Sequence, residues 1–124
     1  MTPRGKIVRL PANRVWRSYT GGRTLDRLAG VAAPADGPFP EDWIASTTRA
    51  VNAGRETLVE GPPRVLIGGE SHDWATLLAA DPAYFLGAEH AARFGPRPQL
   101  LVKLLDPSIR LHLQVHPTAA FAQR

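Results

Sequence analysis

Eleven glycines and twelve prolines are spread along 124 residues, so the chain is punctuated every few residues. Proline removes a backbone donor and glycine weakens any regular element it interrupts, so short strands and loops are favoured over long helices. The chain has 44% hydrophobic and 21% charged residues, values of a globular protein. Its length suits one small domain or part of a larger one. With no cysteine there is no disulfide framework, and any metal must be held by nitrogen and oxygen ligands. Apolar runs are far shorter than a membrane span. The arginine-rich start is followed by no apolar stretch and is no secretory signal, so the cytoplasm is the expected location.

The net charge of +4 is uneven. Residues 1–35 hold seven Lys or Arg against one acid, and residues 36–124 hold eight against ten. The arginines are scattered, without a basic helix face or interleaved aromatics. A solvated basic surface is therefore favoured over a nucleic-acid partner.

Residues 30–40 read as a loop from their turn chemistry. Residues 43–48, aromatic and β-branched, read as a strand. Asn52-Ala53-Gly54-Arg55 turns the chain, and residues 64–67 are a second short strand ended by Gly68-Gly69. A helical insert is expected over about 71–94. Ser71 is the expected cap of a helix over 73–80, with Trp74, Leu77 and Leu78 on one face. Asp81-Pro82 opens a second helix that stops at Gly87, and a helical turn follows over 88–94.

The last third is the most informative. Residues 100–105 form an apolar strand interrupted by Lys103, and Asp106-Pro107-Ser108 is a turn. Residues 109–116 then alternate: Ile109, Leu111, Leu113 and Val115 point one way, Arg110, His112, Gln114 and His116 the other. Same-face neighbours on a strand lie about 6.6 Å apart, so two of these polar side chains can converge on one metal ion. From spacing alone the wet face of an edge strand is the favoured reading. Lys103 reads either as an outward lysine or as a cation reaching a pocket, there to hold phosphate or take part in proton transfer. His72 and His90 read as surface residues. Thr118 is the expected cap of a helix that begins at Ala119.

The block Leu100-Leu101-Val102-Lys103-Leu104-Leu105-Asp106, followed by Leu111-His112-Leu113-Gln114-Val115-His116-Pro117, resembles the hallmark of class I mannose-6-phosphate isomerases. Asn13-Arg14-Val15-Trp16 is similar to the family's opening Asn-x-x-Trp segment. Glu41-Asp42-Trp43, with Ser46 and Asn52-Ala53-Gly54, is similar to its Glu-x-Trp…Ser…Asn-Gly stretch. The resemblance covers residues 13–121.

The resemblance implies a fold of mixed β structure with inserted helices, part of a cupin-type jelly-roll β-barrel, with residues 1–124 a single partial domain. It implies one zinc ion with Gln114 and His116 as ligands, the remaining ligands lying beyond residue 124. Trp16 and His112 would contact substrate and Lys103 would act in catalysis. The implied reaction interconverts mannose 6-phosphate and fructose 6-phosphate through an enediol, the metal polarising substrate oxygens while a base moves a proton. Two positions depart from the family pattern: His112 stands where the family has Ser, and Arg17 where it has Gly. The alternatives are a non-isomerase cupin enzyme and a non-catalytic sugar-phosphate or metal-binding module. No nucleic acid or membrane is expected as partner. The resemblance further implies that these 124 residues alone bind zinc poorly and do not turn over; measurable isomerisation by the isolated chain refutes this.

Overall fold

A computed structural model describes residues 5–124. Its strands are β1 (Val8–Arg9), β2 (Arg14–Val15), β3 (Glu41–Ile44), β4 (Arg64–Ile67), β5 (Glu70–Asp73) and β6 (Val102–Leu105). Its helices are α1 (Arg23–Leu28), α2 (Trp74–Ala80), α3 (Pro82–Leu86), α4 (Ala88–Phe94) and α5 (Ala119–Ala122). The strands make two three-stranded antiparallel sheets, ordered β1-β4-β5 and β2-β3-β6. Among the described residues the sheets do not close into a barrel, and no helix is long and apolar enough to cross a membrane.

In the first sheet, Gly68 and Gly69 do more than end a strand. Both have positive φ, 60° and 90°, and form a two-residue turn that brings Glu70 opposite Ile67. This is the backbone twist that antiparallel hairpins select, and two glycines adopt it without a Cβ clash. The hairpin draws Ser71 into β5 opposite Leu66, so Ser71 does not cap the next helix. Asp73 does so instead, its Oδ1 accepting from the Thr76 N–H at 2.7 Å. Helix α2 then lays Leu77 against Val65 and Ile67, with Val8, Trp74 and Phe85 at the margin.

The other helices of the insert follow their local signals. Asp81 caps α3 with Pro82 at its first position, Gly87 ends it, and α4 occupies the expected residues. Thr118 caps α5. Residues 30–40 contain no helix or strand. Strand β3 begins at Glu41, two residues before the expected start, and stops at Ile44 because Ala45 turns out of line with φ 47°. Beyond it the Ser46 hydroxyl accepts from the Thr48 N–H at 2.9 Å, a local bond that competes with strand pairing.

One expected strand is absent. Residues 109–116 have no ladder partner, and Leu113 and Val115 are 99% and 87% exposed. The alternation is in the sequence, yet a strand exists only where another strand takes up its N–H and C=O groups. None of the described residues does so. The chain instead leaves β6 through a pinned turn. Asp106 N–H bonds Pro40 O at 2.9 Å, and Ser108 N–H bonds Thr20 O at 2.9 Å.

The second sheet has a small core of Val15, Trp43 and Ala50, with Leu101 against it. Polar clamps hold the rest. Asn13 donates from its side chain to the carbonyls of Trp43 (2.9 Å) and Gly61 (2.6 Å), while its N–H bonds Asp42 Oδ1 at 2.8 Å. Trp74 joins the two halves, its indole N–H donating to Ala45 O at 2.9 Å.

Gly21 is where the loop before α1 meets the turn after β6. A Cβ built there would lie 1.9 Å from Asp106 O. Gly21→Ala is therefore expected to force the two backbones apart and lose about 2 kcal/mol of stability. Leu78→Ala, at a fully buried position, is expected to lose about 3 kcal/mol. Urea unfolding followed by circular dichroism measures both, and a change below about 0.5 kcal/mol at either position contradicts the packing described.

Candidate functional site

Strand alternation on β3 sends Glu41 and Trp43 to one face and Asp42 to the other. The β3–β6 register sets Trp43 opposite Lys103 and Glu41 opposite Leu105. Lys103, the cation that interrupts an apolar strand, therefore lies over the face that carries Glu41. Its ammonium nitrogen is 3.5 Å from Glu41 Oε2 and 5.7 Å from the centre of the Trp43 ring.

Glu41 is only 3% exposed, and a carboxylate buried so far must be matched by donors. Four side chains supply them. On Oε1 the Tyr19 hydroxyl donates at 2.6 Å and Arg17 Nε lies at 3.1 Å. On Oε2 the Trp43 indole N–H donates at 2.6 Å, with Lys103 beside it. Burial pushes the Glu41 carboxyl up, but the hydrogen bonds from Tyr19, Trp43 and Arg17 together outweigh it. The pKa falls from 4.5 to about 2, so Glu41 is ionised at neutral pH. Tyr19 moves the opposite way: burial, then its bond to Glu41 and the charge there, hold the phenol far above its ordinary value. It stays a donor.

Arg17 is anchored from a second side. Its Nη1 donates to Asn52 Oδ1 at 3.0 Å, and its guanidinium carbon lies 4.9 Å from the centre of the Trp43 ring. Trp43 thus contacts both cations that flank Glu41. Arg17, Tyr19, Glu41 and Lys103 line a pocket of about 360 Å³ together with Leu105, Leu111, His112 and Gln114.

Of the residues expected from the sequence, Lys103, His112 and Gln114 line this one pocket. His116 lies in the same exposed segment but not on the pocket wall, and Trp16 is also outside it. The Trp16 ring lies under Arg55, 5.1 Å from its guanidinium carbon, and the Trp16 backbone N–H bonds Glu60 Oε1 at 3.4 Å. Among the described residues no group of three or more His, Cys, Asp or Glu is placed to hold a metal ion. His72 is partly exposed and 3.8 Å from Glu70, while the His90 ring bonds Arg97 O at 2.8 Å.

Sequence reasoning did not single out Tyr19, and it met Arg17 and Glu41 only inside motif comparisons. One signal was available. An acid two residues from a tryptophan on a short strand shares that residue's buried face and needs a donor for each oxygen. No protein-family model, no curated protein and no solved structure matches this chain.

The charge balance sets a pH dependence. A carboxyl with a lowered pKa contributes stability that is present above its unfolded value and lost as the pH falls through its folded value. The contribution of Glu41 is thus complete above about pH 4.5 and declines toward pH 2. Glu41→Gln, which leaves Arg17 and Lys103 without a counter-ion, is expected to cost about 3 kcal/mol at pH 7. The gap between wild type and variant should narrow between pH 4.5 and pH 2. Urea midpoints measured across that range test this, and a gap that is constant with pH contradicts it.

Proposed function

We propose that the chain is the amino-terminal part of a zinc-dependent aldose–ketose isomerase of the mannose-6-phosphate isomerase type, its strands contributing to a cupin-type barrel. The reaction is the interconversion of mannose 6-phosphate and fructose 6-phosphate. One observation carries the reading: Lys103, His112 and Gln114, selected from the sequence block alone, line a single pocket. That pocket is walled by a buried carboxylate and two cations.

The chain's own groups fit part of the work. Isomerisation through an enediol moves a proton between neighbouring carbons and builds negative charge on the oxygens attached to them. Lys103 is fixed from one side by Glu41 and Trp43, and its side chain is 32% exposed, so the ammonium can face such an oxygen. Neither Tyr19 nor Glu41 changes its protonation state near neutral pH, because the phenol stays protonated and the carboxyl stays ionised. Their work is positional. His112 also lines the pocket, where its imidazole can hydrogen-bond a sugar hydroxyl.

The metal fits less completely. Gln114 and His116 supply two donors where zinc takes four, and only Gln114 is on the pocket wall. A bound zinc would act as a Lewis acid on substrate oxygens, with its other ligands supplied from outside this chain.

A second reading is a sugar-phosphate binding module without turnover. It is favoured by the saturation of Glu41, which has donors on both oxygens and so offers no free base.

The deciding experiment is an isomerisation assay on the product of the complete reading frame, following exchange of the substrate's C2 proton. The expected result is turnover that disappears on chelation, returns with zinc, and falls about 100-fold in Lys103→Met. Saturable sugar-phosphate binding with no exchange selects the binding module. Full activity in Lys103→Met removes the assigned role of that lysine.

A further inference from the structure

The two cations beside Glu41 outnumber it. Arg17 takes Oε1, Lys103 takes Oε2, and the Tyr19 and Trp43 donors complete the carboxylate. One negative charge therefore faces two positive ones, and the surplus lies at the pocket wall. The guanidinium contacts point the same way. Nε faces Glu41 and Nη1 donates to Asn52 and to Trp16 O, which leaves Nη2 with no acceptor among the described residues. Lys103 has three donors and one carboxylate partner. Arg17 and Lys103 both line this partly enclosed space with Ser18 and His112, and unused donors on two adjacent cations are what an oxyanion requires.

We propose that Arg17 is the specificity-determining residue of this pocket: with Nε on Glu41 Oε1 it balances that carboxylate and leaves its own Nη2 to bind a ligand's phosphoryl group, the Lys103 charge adding to the positive surplus. Without Arg17 the pocket has one cation for one carboxylate, and the surplus is gone. The choice of sugar rests on the isomerase reading above, whereas the anion preference stands on this geometry alone. A phosphate ester and free phosphate share the recognised chemistry, and the test separates them.

The test is calorimetric titration of the full chain with inorganic phosphate, with mannose 6-phosphate and with mannose, at constant ionic strength. The expected result is binding of both phosphate ligands and none of mannose. Arg17→Ala should weaken phosphate binding at least tenfold, with Arg17→Lys intermediate. Tighter binding of the ester than of inorganic phosphate marks the sugar phosphate as the ligand, and equal binding marks the free anion. Wild type that prefers neither phosphate ligand to chloride overturns the inference. So does an Arg17→Ala variant of unchanged circular dichroism that binds phosphate within twofold of wild type. If Arg17→Ala does not fold, Lys103→Met, at a partly exposed position, reads the same surplus: a tenfold loss supports the inference and undiminished binding overturns it. Turnover plays no part in this readout. An active isomerase indifferent to Arg17 sinks the inference alone, and Arg17-dependent binding without turnover sinks the isomerase alone.

Discussion

A carboxylate withdrawn from water is a demanding thing to build a sheet around. Glu41 is accommodated because β3 and β6 pair in the one register that sets Lys103 over its face, and because the segment after β2 returns Arg17 and Tyr19 to its other oxygen. Slipping β6 by one residue would turn Lys103 to the far face and remove one counter-ion. Replacing either partner of such a group leaves a buried charge unmatched, which is worse than never having buried it. The sheet, the pocket and the protonation states of both acidic groups on its wall therefore depend on one cluster.

Elsewhere the fold relies on side chains that reach backbone groups, because its apolar clusters are small. Asn13 fastens β3 to the Gly61 turn, and Asp106 accepts from the Thr24 N–H at 2.5 Å. Arg14 pairs with Asp26 at 2.7 Å and also reaches the Phe39 carbonyl. These bonds close long loops whose residues have little apolar surface to bury, as a chain so rich in glycine and proline requires.

What the sequence disclosed followed the range of the forces involved. The caps at Asp81 and Thr118, the stop at Gly87 and the apolar face of α2 are set by neighbours within a turn, and they were legible. The Asp73 cap was misplaced by two residues because the Gly68-Gly69 hairpin, a longer-range event, claimed Ser71. Helix α1 carries almost no signal: it has six residues and no side-chain cap at Gly22. Residues 109–116 have a flawless strand pattern and no strand, since periodicity describes a face and says nothing of a partner. In the pocket, Lys103, His112 and Gln114 were legible because they stand close together in sequence. Tyr19 and Arg17 were not, as they reach Glu41 across more than twenty residues.

Trp43 has a consequence that is optical. Its indole is nearly sealed from solvent, hydrogen-bonded to an anion, and contacted by two cations. The excited state of an indole responds to the local electric field, and few side chains in a small protein lie in so steep a one. Trp16 and Trp74 are less buried and stand outside this cluster. The emission of the chain thus contains a component that reports the arrangement of charge around Glu41, with no label added.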